Sequence, residues 1–274
     1  MSSTLILGNI GAGKTSLMAC ILKSIYRTKG RRLLSKSNRE LTALNKSQCI
    51  EPFELLEQPP IYTDLQFSVK VKIGYEKWFE PYILNPYYMG TVNSKLDTQY
   101  LPPYSQIFIS EMQTYADSRK SITFPPQMSA LFAKRRHFKY EIYMDGQRGV
   151  FIDKKVRELC DRIIEIQEQE HVRDEFRRIV KTNWRVREFE GYEAYEDYLE
   201  RKGVCYIEKT YEYEGNVFKI YNSYGCANEF VPPKGKGTQF CTLKPLTAEE
   251  IKKLPAKIAK FYNPTEPKGF RSTT

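Results

Sequence analysis

The stretch GNIGAGKT, from Gly8 to Thr15, follows the pattern G-x-x-x-x-G-K-[ST]. The apolar run Thr4–Leu7 before it predicts a buried parallel strand, and apolar residues between Leu17 and Ile25 recur at helical spacing. A glycine-rich loop between a strand and a helix directs several backbone N–H groups inward, and the helix N-terminus adds partial positive charge. The sequence therefore predicts a loop that binds phosphate groups.

Two side chains of this loop suit the phosphates of a nucleoside triphosphate. The ammonium group of Lys14 would reach the terminal phosphates, and the hydroxyl of Thr15 would ligate Mg²⁺. We therefore expect ATP and Mg²⁺ as cofactors, with Lys14 contributing to catalysis as well as to binding. The predicted nucleotide-binding residues are Gly8, Asn9, Ile10, Gly11, Ala12, Gly13, Lys14, Thr15 and Ser16.

The composition favours a globular protein with an anionic partner. The 274 residues are 41% hydrophobic, which suffices for a core and suits one domain with an appendage. The net charge is +10, and basic runs occur at Arg27–Arg39 and at Lys134–His137. A basic surface attracts nucleic acid or an anionic membrane. Between these two, the charge favours nucleic acid.

The cysteines and the hydropathy bear on the compartment. The 6 cysteines are scattered without a C-x-x-C pair, which predicts reduced thiols rather than a zinc site or a disulfide framework. The apolar run at the start is the strand before the loop and lacks the basic leader of a signal peptide. No apolar stretch reaches the length that spans a bilayer. We therefore expect no transmembrane segment and a cytoplasmic location, in the host cytoplasm if the protein is viral.

Strand and helix patterns alternate in the N-terminal part of the chain. Pro59–Ile73 and Ser105–Gln113 predict strands, a helix follows at Gln127–His137, and another strand covers Glu141–Asp145. The polar, basic segment Thr28–Lys46 is predicted to be a connector after the first helix. The alternation predicts an α/β fold, a P-loop NTPase with a mostly parallel central sheet flanked by helices.

The pattern changes near residue 173, where charged and aromatic residues begin to alternate. We expect a P-loop NTPase core over residues 1–172 and a C-terminal extension over residues 173–274. The extension is predicted to be a small appendage of strands, a Tyr-rich segment and a short terminal helix, packed on the core.

The strand predicted at Ser105–Gln113 ends in Ser110-Glu111. In many NTPases this strand ends in Asp-Glu, where the Asp holds Mg²⁺ and the Glu polarises the attacking water. Glu111 therefore fits the catalytic base. Ser110 stands where Asp is usual, and its hydroxyl can bond a Mg²⁺-bound water without supplying charge. We expect Ser110 in the outer shell of the metal, with weaker metal binding or slower turnover.

The next strand ends in Asp145-Gly146-Gln147. A polar residue at this strand end can sense the γ-phosphate or place the lytic water, so Gln147 is the third catalytic candidate. The arginines that follow the predicted strand ends are Arg119, Arg135, Arg136 and Arg148, all expected near the nucleotide-side loops.

The order of these motifs resembles the zonular-occludens-toxin-like (Zot) ATPases. That family is related to the filamentous-phage assembly ATPases and to the FtsK/HerA group of DNA-pumping ATPases. The resemblance covers about residues 1–225 and departs from the family at Ser110, where the family has Asp. The matching segments after the loop are SEMQ at Ser110–Gln113, RH at Arg136-His137, GQ at Gly146-Gln147 and IDKKVR at Ile152–Arg157.

The resemblance implies an ATP-hydrolysing motor that moves DNA in viral or mobile-element genome packaging or virion assembly. It implies DNA as a partner, expected to be single-stranded, and a homo-oligomeric ring. A capsid or a separately encoded membrane protein would be a further partner, because the membrane span of the phage assembly proteins is absent. Ring NTPases take an arginine from the neighbouring subunit, for which Arg119 and Arg148 are the candidates. Lys134, Arg135 and Arg136 are the predicted DNA contacts.

Two other functions stay open from the sequence. GNIGAGKT also resembles the loop of deoxyribonucleoside kinases, and Ile50–Pro59 resembles their Glu-Pro segment, whose Glu would be a base. Asp117-Ser118-Arg119 resembles their acid-Arg-Ser element in scrambled order. The missing arginine-rich lid helix argues against such a phosphotransferase. The third alternative is a nucleotide-binding interaction module without hydrolysis, which Ser110 keeps open.

Overall fold

The computed structural model describes residues 2–47, 53–67, 69–73, 75–84, 89–90, 99–119 and 126–222. Its helices are α1 (Lys14–Ser47), α2 (Pro126–Phe138), α3 (Lys154–Glu158) and α4 (Gly191–Leu199), and short 3-10 helices lie at Met112–Thr114, Gly149–Phe151 and Val217–Lys219. Its strands are β1 (Ser3–Leu7), β2 (Ile61–Thr63), β3 (Gln66–Phe67), β4 (Val69–Ile73), β5 (Tyr75–Phe79), β6 (Tyr82–Ile83), β7 (Met89–Gly90), β8 (Gln99–Tyr100), β9 (Gln106–Ile109), β10 (Glu141–Gly146), β11 (Arg162–Arg173), β12 (Ile179–Glu190), β13 (Ile207–Glu214) and β14 (Tyr221–Asn222).

The central sheet has eight strands in the order β13-β12-β11-β1-β10-β9-β2-β6. Neighbouring strands are parallel from β6 to β11, whereas β12 and β13 are added antiparallel. β1 lies between β10 and β11, and Leu7 at its end pairs with Gly146 at the end of β10. The loop after β1 and the segments after β9 and β10 therefore meet at one edge of the sheet, here called the carboxyl edge. The opposite edge is called the amino edge.

Both faces of β1 are buried, because helices cover the sheet on both sides. Leu5 and Leu7 pack into a hydrophobic cluster that includes Phe132 of α2, and the tyrosines of α4 join the same cluster. Ile6 points to the other face and packs with Leu22 of α1. A buried parallel strand with apolar residues on both faces is typical of a sheet between helix layers. The predicted α/β fold with a mostly parallel sheet is confirmed.

Helix α1 is longer than the sequence patterns predicted. The segment Thr28–Lys46, predicted to be a connector, belongs to this 34-residue helix. Leu33 and Leu41 of the segment are buried, and its many Lys, Arg and Leu residues favour helix without a proline to end it. The prediction of a connector was wrong because the few apolar residues of this polar segment pack inward and hold it as helix.

The predicted domain boundary at 172/173 falls inside β11. Strands β11 and β12 pair along most of their length, and β13 pairs with β12, so residues up to 214 continue the central sheet. The division into core and extension stays a prediction. The proline- and glycine-rich segment and the terminal helix predicted within residues 223–274 lie outside the described residues, as do residues 50–52. None of the helices in the described ranges is long and apolar enough to cross a membrane.

Candidate functional site

The loop between β1 and α1 has the backbone that its glycines predict. Gly11 and Gly13 adopt φ angles of +80° and +83°, which L-residues with side chains rarely adopt. A Cβ atom added to Gly13 would lie 2.4 Å from Cδ of Gln169, so a side chain at this position would displace the Gln169 amide from the loop. The loop closes through a hydrogen bond from the N–H of Ala12 to the carbonyl of Asn9, at 3.1 Å. Two glycines thus set the turn into the helix.

The polar side chains of the loop are held close to its backbone. Lys14 is 6% exposed, and its Nζ donates to the carbonyl oxygen of Asn9 at 3.0 Å. The Ser16 hydroxyl donates to the Gly13 carbonyl at 2.7 Å and accepts a hydrogen bond from Nε2 of Gln169 at 3.0 Å. Gln169 lies on β11, which extends past the end of β1 alongside the loop. The loop is therefore supported by a strand that the sequence motif does not include.

Asp145, at the end of β10, joins the loop to the segment after β9. Its Oδ2 accepts a hydrogen bond from the Thr15 hydroxyl at 3.0 Å, and its Oδ1 accepts one from the backbone N–H of Glu111 at 2.6 Å. The side chain is fully buried. Burial raises the pKa of Asp145 to about 6, against the lowering effect of the Glu111 N–H, the Thr15 hydroxyl and Lys14, while the charge of Glu111 raises it further.

Glu111 adopts a left-handed backbone conformation, with φ 48° and ψ 53°. This conformation costs a non-glycine residue about 1–2 kcal/mol, and such residues are concentrated at functional sites. Its carboxylate accepts a hydrogen bond from Nε2 of Gln113, two residues further on. The backbone of Glu111 is thus fixed by Asp145 and its side chain is oriented by Gln113.

Ser110 is bound to a second buried acid, Asp64, which follows β2. The backbone N–H of Ser110 donates to both carboxylate oxygens of Asp64, at 2.9 and 3.0 Å, and its hydroxyl donates to Oδ2 at 3.2 Å. Burial raises the pKa of Asp64 to about 8, and the neighbouring charge of Asp145 acts in the same direction. The hydroxyl of Ser110 is therefore directed toward Asp64, whereas that of Thr15 is directed toward Asp145.

The remaining candidates at the carboxyl edge are less enclosed. Gln147 directly follows β10 and is half-buried. Arg148 is exposed, and the Arg119 side chain is 83% exposed and ion-paired with Asp117 at 2.9 Å. A β-bridge between Asp117 and Ile152 ties together the segments that carry these two arginines. The structure therefore brings Arg119 and Arg148 to the same edge as the phosphate loop.

The predicted DNA contacts lie elsewhere, and one of them is buried. Arg135 donates to the carbonyl of Phe132 at 3.0 Å and to Asp161 at 3.2 and 3.4 Å, with its side chain 8% exposed. Asp161 in turn accepts from the backbone N–H of Ser3 at the start of β1. The prediction of Arg135 as a DNA contact is therefore corrected, because its guanidinium group is buried in a structural contact.

The basic patch, defined as Lys134–His137, lies at the amino edge of the sheet. It is at the end of α2, next to the residues that begin β1 and β11. The expectation that Arg135 and Arg136 lie near the nucleotide-side loops was therefore wrong. Lys134 and Arg136 are exposed, and Arg136 lies 3.8 Å from Asp161. These two residues remain available to an anionic partner.

The sequence motifs missed Asp64, Asp145, Gln113 and Gln169 as parts of this site. The two acids carried the same signal that selected Glu111, an acidic residue at the end of an apolar strand. Gln113 appeared in the sequence only as the last residue of the SEMQ segment. No sequence pattern indicated Gln169, since its contact with the loop depends on how far β11 extends. A parallel sheet with this loop at the end of an internal strand is the fold of a P-loop NTPase.

A comparison with solved structures returned several chains that are similar to most of this one. The N-terminal domain of zonular occludens toxin from Neisseria meningitidis matches with a TM-score of 0.40 and 12% identity, over 81% of this chain and 98% of that chain. The genome packaging NTPase of Sulfolobus turreted icosahedral virus 2, in complex with ATP-gammaS, matches with a TM-score of 0.35 and 8% identity, over 78% and 98% of the two chains.

The DNA-packaging ATPase of Sulfolobus turreted icosahedral virus matches with a TM-score of 0.35 and 10% identity, over 78% of this chain and 98% of that chain. No protein-family model matches the sequence, and no curated protein matches it. At these identities and TM-scores the similarity assigns no activity to this chain. Its chemistry is therefore inferred from its own residues.

Proposed function

We propose that this protein binds and hydrolyses ATP, and that hydrolysis drives the movement of DNA. The observation that carries the proposal is the contact between Thr15 of the phosphate loop, Asp145 and the N–H of Glu111. This contact supports the proposal because it joins the loop that would hold the phosphates to the residue whose carboxylate would act as the base. The left-handed backbone of Glu111 also supports the proposal, since strained residues are concentrated at functional sites.

The residues of the loop would bind the triphosphate. Backbone N–H groups of Gly11 to Lys14 at the start of α1 would surround the phosphates, and the Lys14 ammonium would exchange its bond to the Asn9 carbonyl for one to a phosphate oxygen. The residues also fit Mg²⁺, since the Thr15 hydroxyl and a nearby carboxylate are the oxygen donors that this ion takes at phosphate sites. Bound there, Mg²⁺ would neutralise charge on the phosphates.

Glu111 would accept a proton from the attacking water. Its carboxylate is half-buried at the carboxyl edge, and Gln113 orients it through the amide N–H. Gln147 and one of Arg119 and Arg148 would complete the site, the arginine being supplied by a neighbouring copy in a homo-oligomeric ring. These roles, and a cytoplasmic location, are parts of the same proposal.

The basic surface supports DNA as the substrate that is moved. The chain carries a net charge of +10, and Lys134 and Arg136 of the basic patch are exposed. Phosphate contacts from such residues give affinity without sequence preference, which suits a protein that moves along DNA. A role in genome packaging or virion assembly is the most specific form of this proposal, and it rests on the motif order described above.

One assay separates the proposed function from its alternatives. Phosphate release from ATP is measured alone, with single-stranded DNA and with deoxynucleosides, and we expect stimulation by DNA. Transfer of phosphate to a deoxynucleoside would instead support a kinase, and binding of ATP with neither product would support an interaction module. The substitution Lys14→Ala should weaken binding of a fluorescent ATP analogue many-fold, while Lys29→Ala, on the exposed face of α1, serves as the matched control.

A further inference from the structure

We propose that Asp145 of β10 is the carboxylate that orders Mg²⁺ at the phosphate loop, in place of an acid at position 110. The inference rests on the proposed function, because it concerns the metal that would accompany ATP. It changes the sequence-based prediction, in which Ser110 was the residue in the outer shell of the metal. Thr15 and Asp145 together would then supply a hydroxyl and a carboxylate to the ion.

The strand order explains how Asp145 reaches the loop. β10 is the direct neighbour of β1, and β9, which ends at Ile109 before Ser110, is one strand further away. Adjacent strands lie about 4.8 Å apart, so a side chain at the end of β10 needs less reach to contact Thr15. Asp145 is level with Ile6 of β1 in the strand register, two residues before the loop begins. Its 3.0 Å contact with the Thr15 hydroxyl follows from this position.

The carboxylate of Asp145 has acceptor positions that its present hydrogen bonds do not use. A carboxylate has about four acceptor positions, and the bonds from Thr15 and from the N–H of Glu111 use one on each oxygen. The bond from Glu111 also fixes the carboxylate plane, because it is short and comes from the backbone. Asp145 is thus a buried, oriented acid whose remaining acceptor positions can bind a metal-bound water or the metal.

Ser110 is engaged in a different direction. Its hydroxyl and its backbone N–H both donate to Asp64, on the side of β9 that faces β2 rather than β10. The register pairs Ile109 with Met144, so Ser110 and Asp145 are the next residues along two adjacent strands. Asp145 therefore supplies a carboxylate at the same level of the sheet as Ser110, but on the neighbouring strand β10. This arrangement accounts for a serine at position 110 without loss of a carboxylate beside Thr15.

The test measures how much Mg²⁺ strengthens nucleotide binding. Affinity for a fluorescent ATP analogue is determined with Mg²⁺ and with EDTA in the wild type, Asp145→Asn and the matched control Asp64→Asn. In the wild type, Mg²⁺ should raise the affinity for the analogue by some factor. In Asp145→Asn this factor should be about 10- to 100-fold smaller, while the affinity in EDTA is little changed. Asp64→Asn, which removes a buried acid that contacts Ser110 instead of Thr15, should keep the effect of Mg²⁺.

Two further variants extend the test, and the first of them keeps the inference falsifiable if Asp145→Asn is poorly folded. Ser110→Ala should leave the effect of Mg²⁺ unchanged, and Asp145→Asn combined with Ser110→Asp should restore part of it. The affinity for Mn²⁺ in the presence of the analogue, followed by electron paramagnetic resonance, should change in parallel. Loss of the Mg²⁺ effect in Ser110→Ala, or its full retention in Asp145→Asn, would overturn the inference. Failure of the wild type to bind the analogue in EDTA as well as with Mg²⁺ would instead overturn the proposed function.

Discussion

Both carboxylate oxygens of Asp64 accept hydrogen bonds from the backbone N–H of Ser110, at 2.9 and 3.0 Å. Asp64 follows β2 and Ser110 follows β9, and these two strands are parallel neighbours. The contact therefore fixes the chain at the point where it turns from β9 into the strained backbone of Glu111. Burial raises the pKa of Asp64 from its ordinary value of 3.8 to about 8. Between these two pH values the folded protein keeps a proton on Asp64 that the unfolded chain has lost.

The first prediction concerns stability and pH. Because the pKa of Asp64 is raised on folding, its contribution to stability is fully present below the unfolded pKa of about 3.9 and declines until the pH passes about 8. Asp64→Asn imitates the protonated form and removes this dependence. The free energy of unfolding is measured with urea at pH 5 and at pH 8.5. Relative to the wild type, the variant should be more stable at pH 8.5 than it is at pH 5. If the difference in free energy of unfolding between the variant and the wild type were equal at both pH values, the raised pKa of Asp64 would be contradicted.

The second prediction concerns the base. Glu111→Gln keeps the shape of the side chain but cannot accept a proton, so ATP hydrolysis should fall by about 10²- to 10⁴-fold while affinity for ATP is retained. The rate is measured as phosphate release and the affinity by titration with a fluorescent analogue. The control is Glu175→Gln, at an exposed position in the hairpin between β11 and β12. If binding were lost together with turnover, Glu111 would be structural.

The third prediction separates two adjacent arginines. Arg135→Ala removes a buried guanidinium bound to Phe132 and Asp161 and should lower the free energy of unfolding by about 1–3 kcal/mol. Arg136→Ala, at a side chain that is 75% exposed, should change stability by less than about 0.5 kcal/mol.

Affinity for DNA should show the opposite pattern. Arg136→Ala should weaken binding and reduce the slope of log affinity against log salt by about 1, while folded Arg135→Ala should bind as the wild type does. Fluorescence anisotropy with labelled single-stranded DNA at several salt concentrations measures both quantities. A reduced salt slope in Arg135→Ala would restore that residue as a DNA contact.

The fourth prediction concerns the ring. A subunit that lacks the trans arginine but has an intact site should regain hydrolysis when it is mixed with Glu111→Gln subunits that carry the arginine. Arg119→Ala and Arg148→Ala are tested separately, and we expect the mixture to recover activity with only one of them. Both side chains are exposed at the carboxyl edge, so either substitution should leave the fold intact. A monomer by light scattering with ATP and DNA present would exclude the ring.

The sequence was sufficient for features whose determinants are local. The phosphate loop needs only a strand, its glycines and a following helix, all within Ser3–Ile25, and the structure has them in that order. Glu111 was placed at the end of a strand because the apolar run before it is continuous. The helix at Gln127–His137 and the strand at Glu141–Asp145 were also placed within one residue at each end.

The sequence was insufficient where contacts depend on the order of strands in the sheet. Asp64 and Asp145 are distant from the loop along the chain, and nothing local indicates that β10 lies beside β1 or that β2 lies beside β9. The sequence therefore predicts Gln147 as the functional residue of this strand end, whereas Asp145 is the residue that contacts Thr15. Arg135 was assigned to the surface because the basic run hides which of its members faces Asp161. In each case the missing information was a tertiary contact.

Helix α1 reaches from the phosphate loop to the segment beside the basic patch. It begins at the phosphate loop, and its 34 residues correspond to a rod about 50 Å long. Glu40, in its second half, forms an ion pair of 2.7 Å with Lys139, directly after α2 and two residues beyond the basic patch. A shift of Thr15 would therefore be transmitted along one rigid element to the surface that is proposed to contact DNA. Glu40→Gln should uncouple the two edges, so that DNA no longer accelerates phosphate release although the rate without DNA is unchanged.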